Sequence, residues 1–172
     1  FKFIRYSDAV SLLSDGIPKE KYICLSFDDG FYNNLAAAEF LAKENIPCMF
    51  FINPLVVSKA YDKTFKETHC VNKLHCKPMD FLDWDGIKTL LKLGHEIGNH
   101  GFSHKRLSEC TREDLHLEIR DSLTKLEEKL DQQQYHFAWC YGRENDINKE
   151  ALILANALHI STASAIRGHN SL

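Results

Sequence analysis

Two kinds of apolar spacing alternate along this chain. Tyr22 to Phe27 (Tyr-Ile-Cys-Leu-Ser-Phe) and Pro47 to Ile52 (Pro-Cys-Met-Phe-Phe-Ile) are short continuous apolar runs, the pattern of strands buried on both faces. Between them, Leu35, Ala38, Phe40 and Leu41 recur at helical spacing and predict a helix over residues 33–44. Asp83-Trp84-Asp85 opens a second helix over 86–93, with Ile87, Leu90 and Leu91 toward a core, and His95 to Gly98 reads as a short strand. Residues 111–130 predict an amphipathic helix with Leu115, Ile119, Leu123, Leu126 and Leu130 on one face. Thr111 and Asp114 sit three apart at its start, as in a capping box. A fourth strand over 136–140, a helix over 147–158 and a fifth strand over 159–163 follow. Residues 53–80 are polar and aperiodic, and predict a long loop of the kind that carries function or covers a site.

Strands alternating with helices imply βαβ units and an α/β fold with a mainly parallel sheet or barrel. Chemistry in such folds gathers at the C-terminal ends of strands. Asp28-Asp29, Asn99-His100 and Cys140-Tyr141-Gly142 each follow a different predicted strand.

Composition narrows the picture modestly. A chain of 172 residues with 44% hydrophobic content makes one domain, 1–172, with a sizeable core. A formal net charge of −3 gives no pull toward nucleic acid or anionic membrane, and no apolar run is long enough for a transmembrane segment. Phe1-Lys2-Phe3-Ile4-Arg5 has neither an initiator Met nor a signal-peptide pattern, so an excerpt of a longer chain is expected. Of the six cysteines, Cys24, Cys48 and Cys140 lie in apolar runs, where a thiol behaves as a small hydrophobe. Reduced thiols and a cytoplasmic location are expected; a signal upstream would make it periplasmic or cell-surface. His69-Cys70 and His75-Cys76 match no common zinc spacing and read as polar loop rather than a zinc clip.

Two segments carry the chemistry: Ser26-Phe27-Asp28-Asp29-Gly30 and His100-Gly101-Phe102-Ser103-His104. Neighbouring residues on a strand face opposite ways, so one carboxylate can meet a metal while the other stays free to move a proton. Histidines four apart reach one face of a helical turn. Either segment alone is more simply a turn or a solvated helix start. In order, and at corresponding strand ends, they favour an Asp-His-His metal site with a second aspartate as base.

These segments resemble the polysaccharide deacetylase family, also called carbohydrate esterase family 4 or the NodB-homology domain. Leu25-Ser26-Phe27-Asp28-Asp29-Gly30 is similar to its Thr-Phe-Asp-Asp-Gly strand end, and Gly94-His95-Glu96-Ile97-Gly98-Asn99-His100 with His104 to its second motif. Phe137-Ala138-Trp139-Cys140-Tyr141-Gly142 is a weaker third match, and the resemblance covers roughly residues 20–165. It implies a distorted (β/α) barrel and a hydrolase removing acyl groups, mostly acetyl, from sugar polymers. Carried over, Asp28 is the catalytic base, Asp29, His100 and His104 are the metal ligands, and the Tyr141 N–H helps bind the oxyanion. The implied cofactor is a divalent metal, zinc first, with cobalt or nickel admitted by a mixed nitrogen and oxygen shell. The implied partner is an N-acetylated saccharide.

The chain also departs from the family pattern. Gly101 stands where many relatives have Ser or Thr. Ala138-Trp139-Cys140-Tyr141 replaces Arg-x-Pro-Tyr, removing the arginine that orients the base. No terminal Leu-x-His motif, the source of the general acid, follows the third motif, so the barrel is expected to be incomplete at the C-terminus. These departures motivate rival readings: a carbohydrate-binding or assembly protein on a deacetylase fold, or a deacylase of a small non-polymeric amide. Elsewhere, His169 is read as a tail residue rather than the replacement acid, and His95 as a strand or supporting residue. Trp84 reads as packing, Trp139 as core or sugar platform, Asn99 as loop support or site contact, and the charges of 111–131 as a solvated face.

Overall fold

Residues 1–14, which the hydrophobic pattern leaves unassigned, form a strand β1 (Lys2–Phe3) and a helix α1 (Tyr6–Ser14) in the computed structural model, which describes residues 1–16, 20–134 and 136–164. The apolar run 22–27 is one strand by pattern and two by structure. β2 (Tyr22–Ile23) pairs in parallel with β1, and β3 (Leu25–Phe27) begins a second sheet after a break at Cys24. That sheet continues with β4 (Cys48–Ile52), β5 (Glu96–Asn99), β6 (His136–Ala138) and β7 (Ser161–Ala163). All four of its pairings are parallel and its order is the sequence order, β3-β4-β5-β6-β7. This is the expected α/β architecture, an arc of the distorted (β/α) barrel.

Parallel neighbours need crossovers, and helices supply them. α2 (Asn34–Lys43) links β3 to β4, and α5 (Trp84–Lys92) precedes β5. Both close in the same way. Asn45 and Gly94 take left-handed φ of 56° and 91°. The N–H beyond each then reaches back five residues, Ile46 to Leu41 and His95 to Leu90. Asp83 caps α5 by accepting from the Gly86 N–H at 2.8 Å. α8 (Lys149–Leu158) joins β6 to β7 and is capped by Asn148.

The predicted helix over 111–130 is present but not uniform. α6 (Arg112–Leu115) starts in the Thr111/Asp114 capping box, residues 116–121 widen into π-type winding, and α7 (Ser122–Leu130) resumes the α form. Residues 53–80 differ from the expected loop. They form α3 (Pro54–Ser58), α4 (Lys63–His69) and a π-type turn at 70–74. Val56, Ala60, Cys70 and Phe81 bury together there, with Phe65 and Leu74 against them. Helices of one or two turns are too short to display a 3.6-residue period, so the pattern hid them.

Every residue of β4 is buried. Cys48, Phe50 and Ile52 join Leu90, Ile97 and Leu126 in the main core, while Met49 and Phe51 face the other way, with Ala138 and Tyr6. A second cluster of Leu107, Leu115, Ile119, Phe137, Ala151 and Ala155 packs α6 and α8 on the sheet. Glu96 ties α1 to β5 by accepting from the Tyr6 and Ser7 N–H groups at 2.8 and 3.3 Å, where a helix start leaves donors unpaired. No helix among the described residues is long and apolar enough to cross a membrane.

Candidate functional site

The sequence-predicted residues meet at the C-terminal edge of the sheet. Asp28 and Asp29 follow β3, His100 follows β5, and Cys140 and Tyr141 follow β6. The cleft they line has a volume of about 1370 Å³; Asp28, Asp29, His100, His104, Trp139 and Tyr141 all face it.

Local backbone differs from expectation at both motifs. Asp29 and Gly30 have φ of 70° and 67°, so the two carboxylates are separated by a turn rather than by strand alternation. The Gly30 carbonyl accepts from the Leu82 N–H at 2.8 Å, fixing that turn. Residues 100–104 are not helical either: Gly101 and His104 have φ of 77° and 60°. A looped chain, not a helical face, brings the two imidazoles together with ring centroids 5.4 Å apart.

Asp29 Oδ1 stands 3.6 Å from His100 Nε2 and 3.3 Å from His104 Nε2. It is buried and has no hydrogen-bond partner among the described residues. Three donors each about 2.0–2.2 Å from one ion, at tetrahedral angles, stand about 3.3–3.6 Å apart. The residues therefore fit a divalent ion, and an orphaned buried carboxylate oxygen is otherwise unfavourable. His100 Nδ1 lies 2.7 Å from the Ala138 carbonyl oxygen and donates to it, which leaves Nε2 as the nitrogen that faces Asp29 and becomes a ligand once deprotonated.

Electrostatics divide the cluster. Burial raises the Asp29 carboxyl, against the pull of His100. Burial also opposes charge on His100, but the Cys140 sulfur and the Asp28 and Asp29 carboxylates outweigh it and lift the imidazole to about 10. Burial, with His100 and His69 nearby, pushes His104 down to about 3. A metal held here must displace the His100 proton.

Cys140 is a further donor beside the imidazoles, one that the motif pattern does not single out as a ligand. Its ligand atom and those of His100 and His104 lie within 4.8 Å of one another. Its Sγ already donates to the His100 carbonyl at 3.0 Å, and burial pushes its thiol up. Asp29, with an unpartnered oxygen between both imidazoles, has the stronger claim.

The histidine loop is held by Asn99, for which the sequence leaves loop support and site contact open, and by Asn53 and Glu118, which it does not single out. Asn99 Oδ1 accepts from the Gly101 N–H at 3.0 Å and from Ser122 Oγ at 2.7 Å, while its Nδ2 donates to the Ile119 carbonyl at 3.1 Å. Asn99 is thus loop support. Asn53, just past β4 and fully buried, donates from Nδ2 to the carbonyls of His100 and Gly101. Glu118, whose charge reads as part of a solvated face, is 0% exposed and accepts from the Ser103 N–H at 3.0 Å and from the Ser103 hydroxyl. It lies in the π-type stretch 116–121, next to the buried Ile119. A Cβ on Gly101 would stand 3.1 Å from Glu118 Oε2, which accounts for glycine at this position.

Other residues fall into place around this centre. The Tyr141 ring packs edge-on to His104 with centroids 4.8 Å apart, and Arg106 lies 4.5 Å over the same ring. The Tyr141 N–H makes no hydrogen bond among the described residues. Trp139 is half-buried at the cleft wall, its indole donating to the Arg143 carbonyl at 3.0 Å. Trp84 packs on the main core and donates to Ser58 Oγ. His95 is away from the site, its Nε2 2.9 Å from the Ala38 carbonyl. His69 and Cys70 are buried rather than in a polar loop. All six cysteines are free thiols. His169 lies outside the described residues.

Comparisons with known proteins establish the fold and the family. No curated protein matches the chain. Among solved structures, Streptococcus pyogenes deacetylase PplD in complex with acetate superposes with a TM-score of 0.73 at 19% identity, covering 91% of this chain and 62% of that one. IcaB from Ammonifex degensii gives 0.69 at 18% identity, covering 92% and 66%. A carbohydrate esterase family 4 pseudoenzyme from Bacillus anthracis gives 0.60 at 16% identity, covering 85% and 43%. The chain thus spans 43% to 66% of the length of these structures, and at such identities the likeness establishes the fold. The sequence model described as polysaccharide deacetylase matches residues 15–162, across both aspartates, both histidines and the third motif, and on that match the chain belongs to the polysaccharide deacetylase family.

Proposed function

We propose that this chain is a metal-dependent deacetylase that removes N-acetyl groups from a surface glycan or its sugar precursor. The observation that carries the reading is the buried, unpartnered Asp29 Oδ1 set between His100 Nε2 and His104 Nε2. Asp29, His100 and His104 would hold the ion, and two imidazoles with one carboxylate suit zinc. Once bound, such an ion polarises the acetamide carbonyl and lowers the pKa of water toward neutrality.

The chain's own residues supply the remainder. Asp28, exposed in the same cleft, accepts a proton from the attacking water as its oxygen bonds to the carbonyl carbon. The free N–H of Tyr141 donates to the carbonyl oxygen as negative charge develops there. The proton taken by Asp28 then passes to the leaving nitrogen as the C–N bond breaks, giving acetate and an amine. Trp139 and the Tyr141 ring offer apolar faces for the pyranose. A cleft of about 1370 Å³ beside the centre supports a saccharide as substrate.

A binding role on the same fold is a second reading, favoured by Ala138 standing where the third motif carries arginine. Acetate release from N-acetylated oligosaccharides, with Asp28→Asn as control, separates the two. Release by the wild type and loss by about 10²–10⁴-fold in Asp28→Asn is expected for the enzyme. Binding of the oligosaccharide without release in either protein supports the second reading instead.

A further inference from the structure

Each imidazole of the candidate metal centre has a second nitrogen, and only one of the two is accounted for. His100 places its Nδ1 on the Ala138 carbonyl. His104 Nδ1 is buried with no hydrogen-bond partner among the described residues. Histidines that ligate a metal through one nitrogen almost always donate from the other, which fixes the tautomer and the ring plane. His104 therefore lacks a feature that its role requires.

An unclaimed acceptor lies on the neighbouring ring, a third imidazole. His69, on α4, is 5% exposed, and its Nε2 is also buried without a partner. Its ring meets the His104 ring edge-on, centroids 6.1 Å apart and planes 83° apart. Phe65 stacks on it at 5.2 Å and Phe81 packs edge-on at 5.8 Å, so the ring is held on two further sides. Two neighbouring buried rings each have one orphaned nitrogen, and one donor with one acceptor satisfies both. The competing acceptor is the main-chain carbonyl of His104 itself, which favours a proton on the ring but forms no hydrogen bond with it.

We infer that His69 Nε2 accepts a hydrogen bond relayed from His104 Nδ1–H through one bridging water, and so positions His104 with Nε2 presented to the metal. His69 is then a positioning residue rather than a ligand. The segment 53–83 gains a role by this contact, because α4 carries the imidazole that sets a donor of the centre. The inference rests on the proposed metal centre at Asp29, His100 and His104, and the experiment separates the two.

The test uses His69→Phe, which keeps the stack on Phe65 but removes the acceptor, and His69→Gln, whose Oε1 replaces it. Imidazole nitrogen NMR of the metal-free protein reads the tautomer of His104, and cobalt titration followed by visible absorption reads affinity. The wild type should show His104 protonated at Nδ1. His69→Phe should shift that tautomer signal and weaken cobalt binding by about 10–100-fold, with circular dichroism unchanged and His69→Gln restoring most of the loss. Equal tautomer signals in wild type and His69→Phe overturn the inference, as do equal losses of affinity in the Phe and Gln variants. If the wild type binds no cobalt, the metal centre fails while the tautomer measurement still decides the role of His69.

Discussion

Glu118 holds the histidine loop through Ser103, and removing it should loosen the loop and the metal centre together. The carboxylate is 0% exposed and accepts from the Ser103 N–H at 3.0 Å and from the Ser103 hydroxyl. Hydrogen bonds to a charged acceptor contribute about 1.5–3 kcal/mol each, and they are not additive when shared by one group. Glu118→Ala also leaves the part-buried Ser103 N–H without a partner. A loss of roughly 3–4 kcal/mol in unfolding free energy follows, against about 1–2 kcal/mol for Glu118→Gln, which keeps one neutral acceptor. Urea denaturation of Glu118→Ala, Ser103→Ala and the double variant measures the coupling, expected at about 1–2 kcal/mol. Zinc or cobalt affinity should fall about 10-fold or more in Glu118→Ala, because His104 is next to Ser103. A coupling below about 0.5 kcal/mol with unchanged metal affinity would refute this account of the loop.

Three further outcomes are expected. Asn53→Ala removes the donor to the His100 and Gly101 carbonyls, and should lower unfolding free energy by about 1–3 kcal/mol in urea melts. Gly98→Ala would place a Cβ 2.6 Å from the Phe51 ring in the sheet, and should cost about 1–3 kcal/mol by the same measurement; an unchanged midpoint would contradict the packing described. Burial holds His69 near 4 and His104 near 3, and lowers His136 and His159 as well. The unfolded chain therefore binds more protons than the metal-free folded chain below about pH 6.5. Stability should fall as pH drops from about 7 to 4, partly offset by the raised His100 and Asp29, and a flat urea midpoint over that range would count against neutral buried imidazoles.

The legible part of the fold was the part with a long enough period. β3 through β7, α2, α5, α8 and the 111–130 helix follow from apolar runs and 3.6-residue spacing. The Asp and His pairs announced themselves because two rare donor patterns stood at matching strand ends. What stayed hidden depends on tertiary contact. Asn53 and His69 carry no local signal: neither is marked by its flanking residues until the neighbouring loop is packed against it. Glu118 reads as solvated by its charge alone, although it stands three residues after Leu115 and four before Ser122, both buried. The two backbone reversals, at Asp29 and His104, are similar cases. The residues that converge were identified, but turns replaced the strand and helix geometry that spacing suggested.

Metal stoichiometry tests the central claim most directly. Metal-free protein titrated with zinc, and read by calorimetry and by elemental analysis after desalting, should bind one ion per chain at neutral pH. Asp29→Ala and His104→Ala should each abolish that binding while retaining the far-ultraviolet spectrum of the wild type. Absence of stoichiometric binding in the wild type, or binding that survives Asp29→Ala unchanged, would contradict the site set between Asp29, His100 and His104.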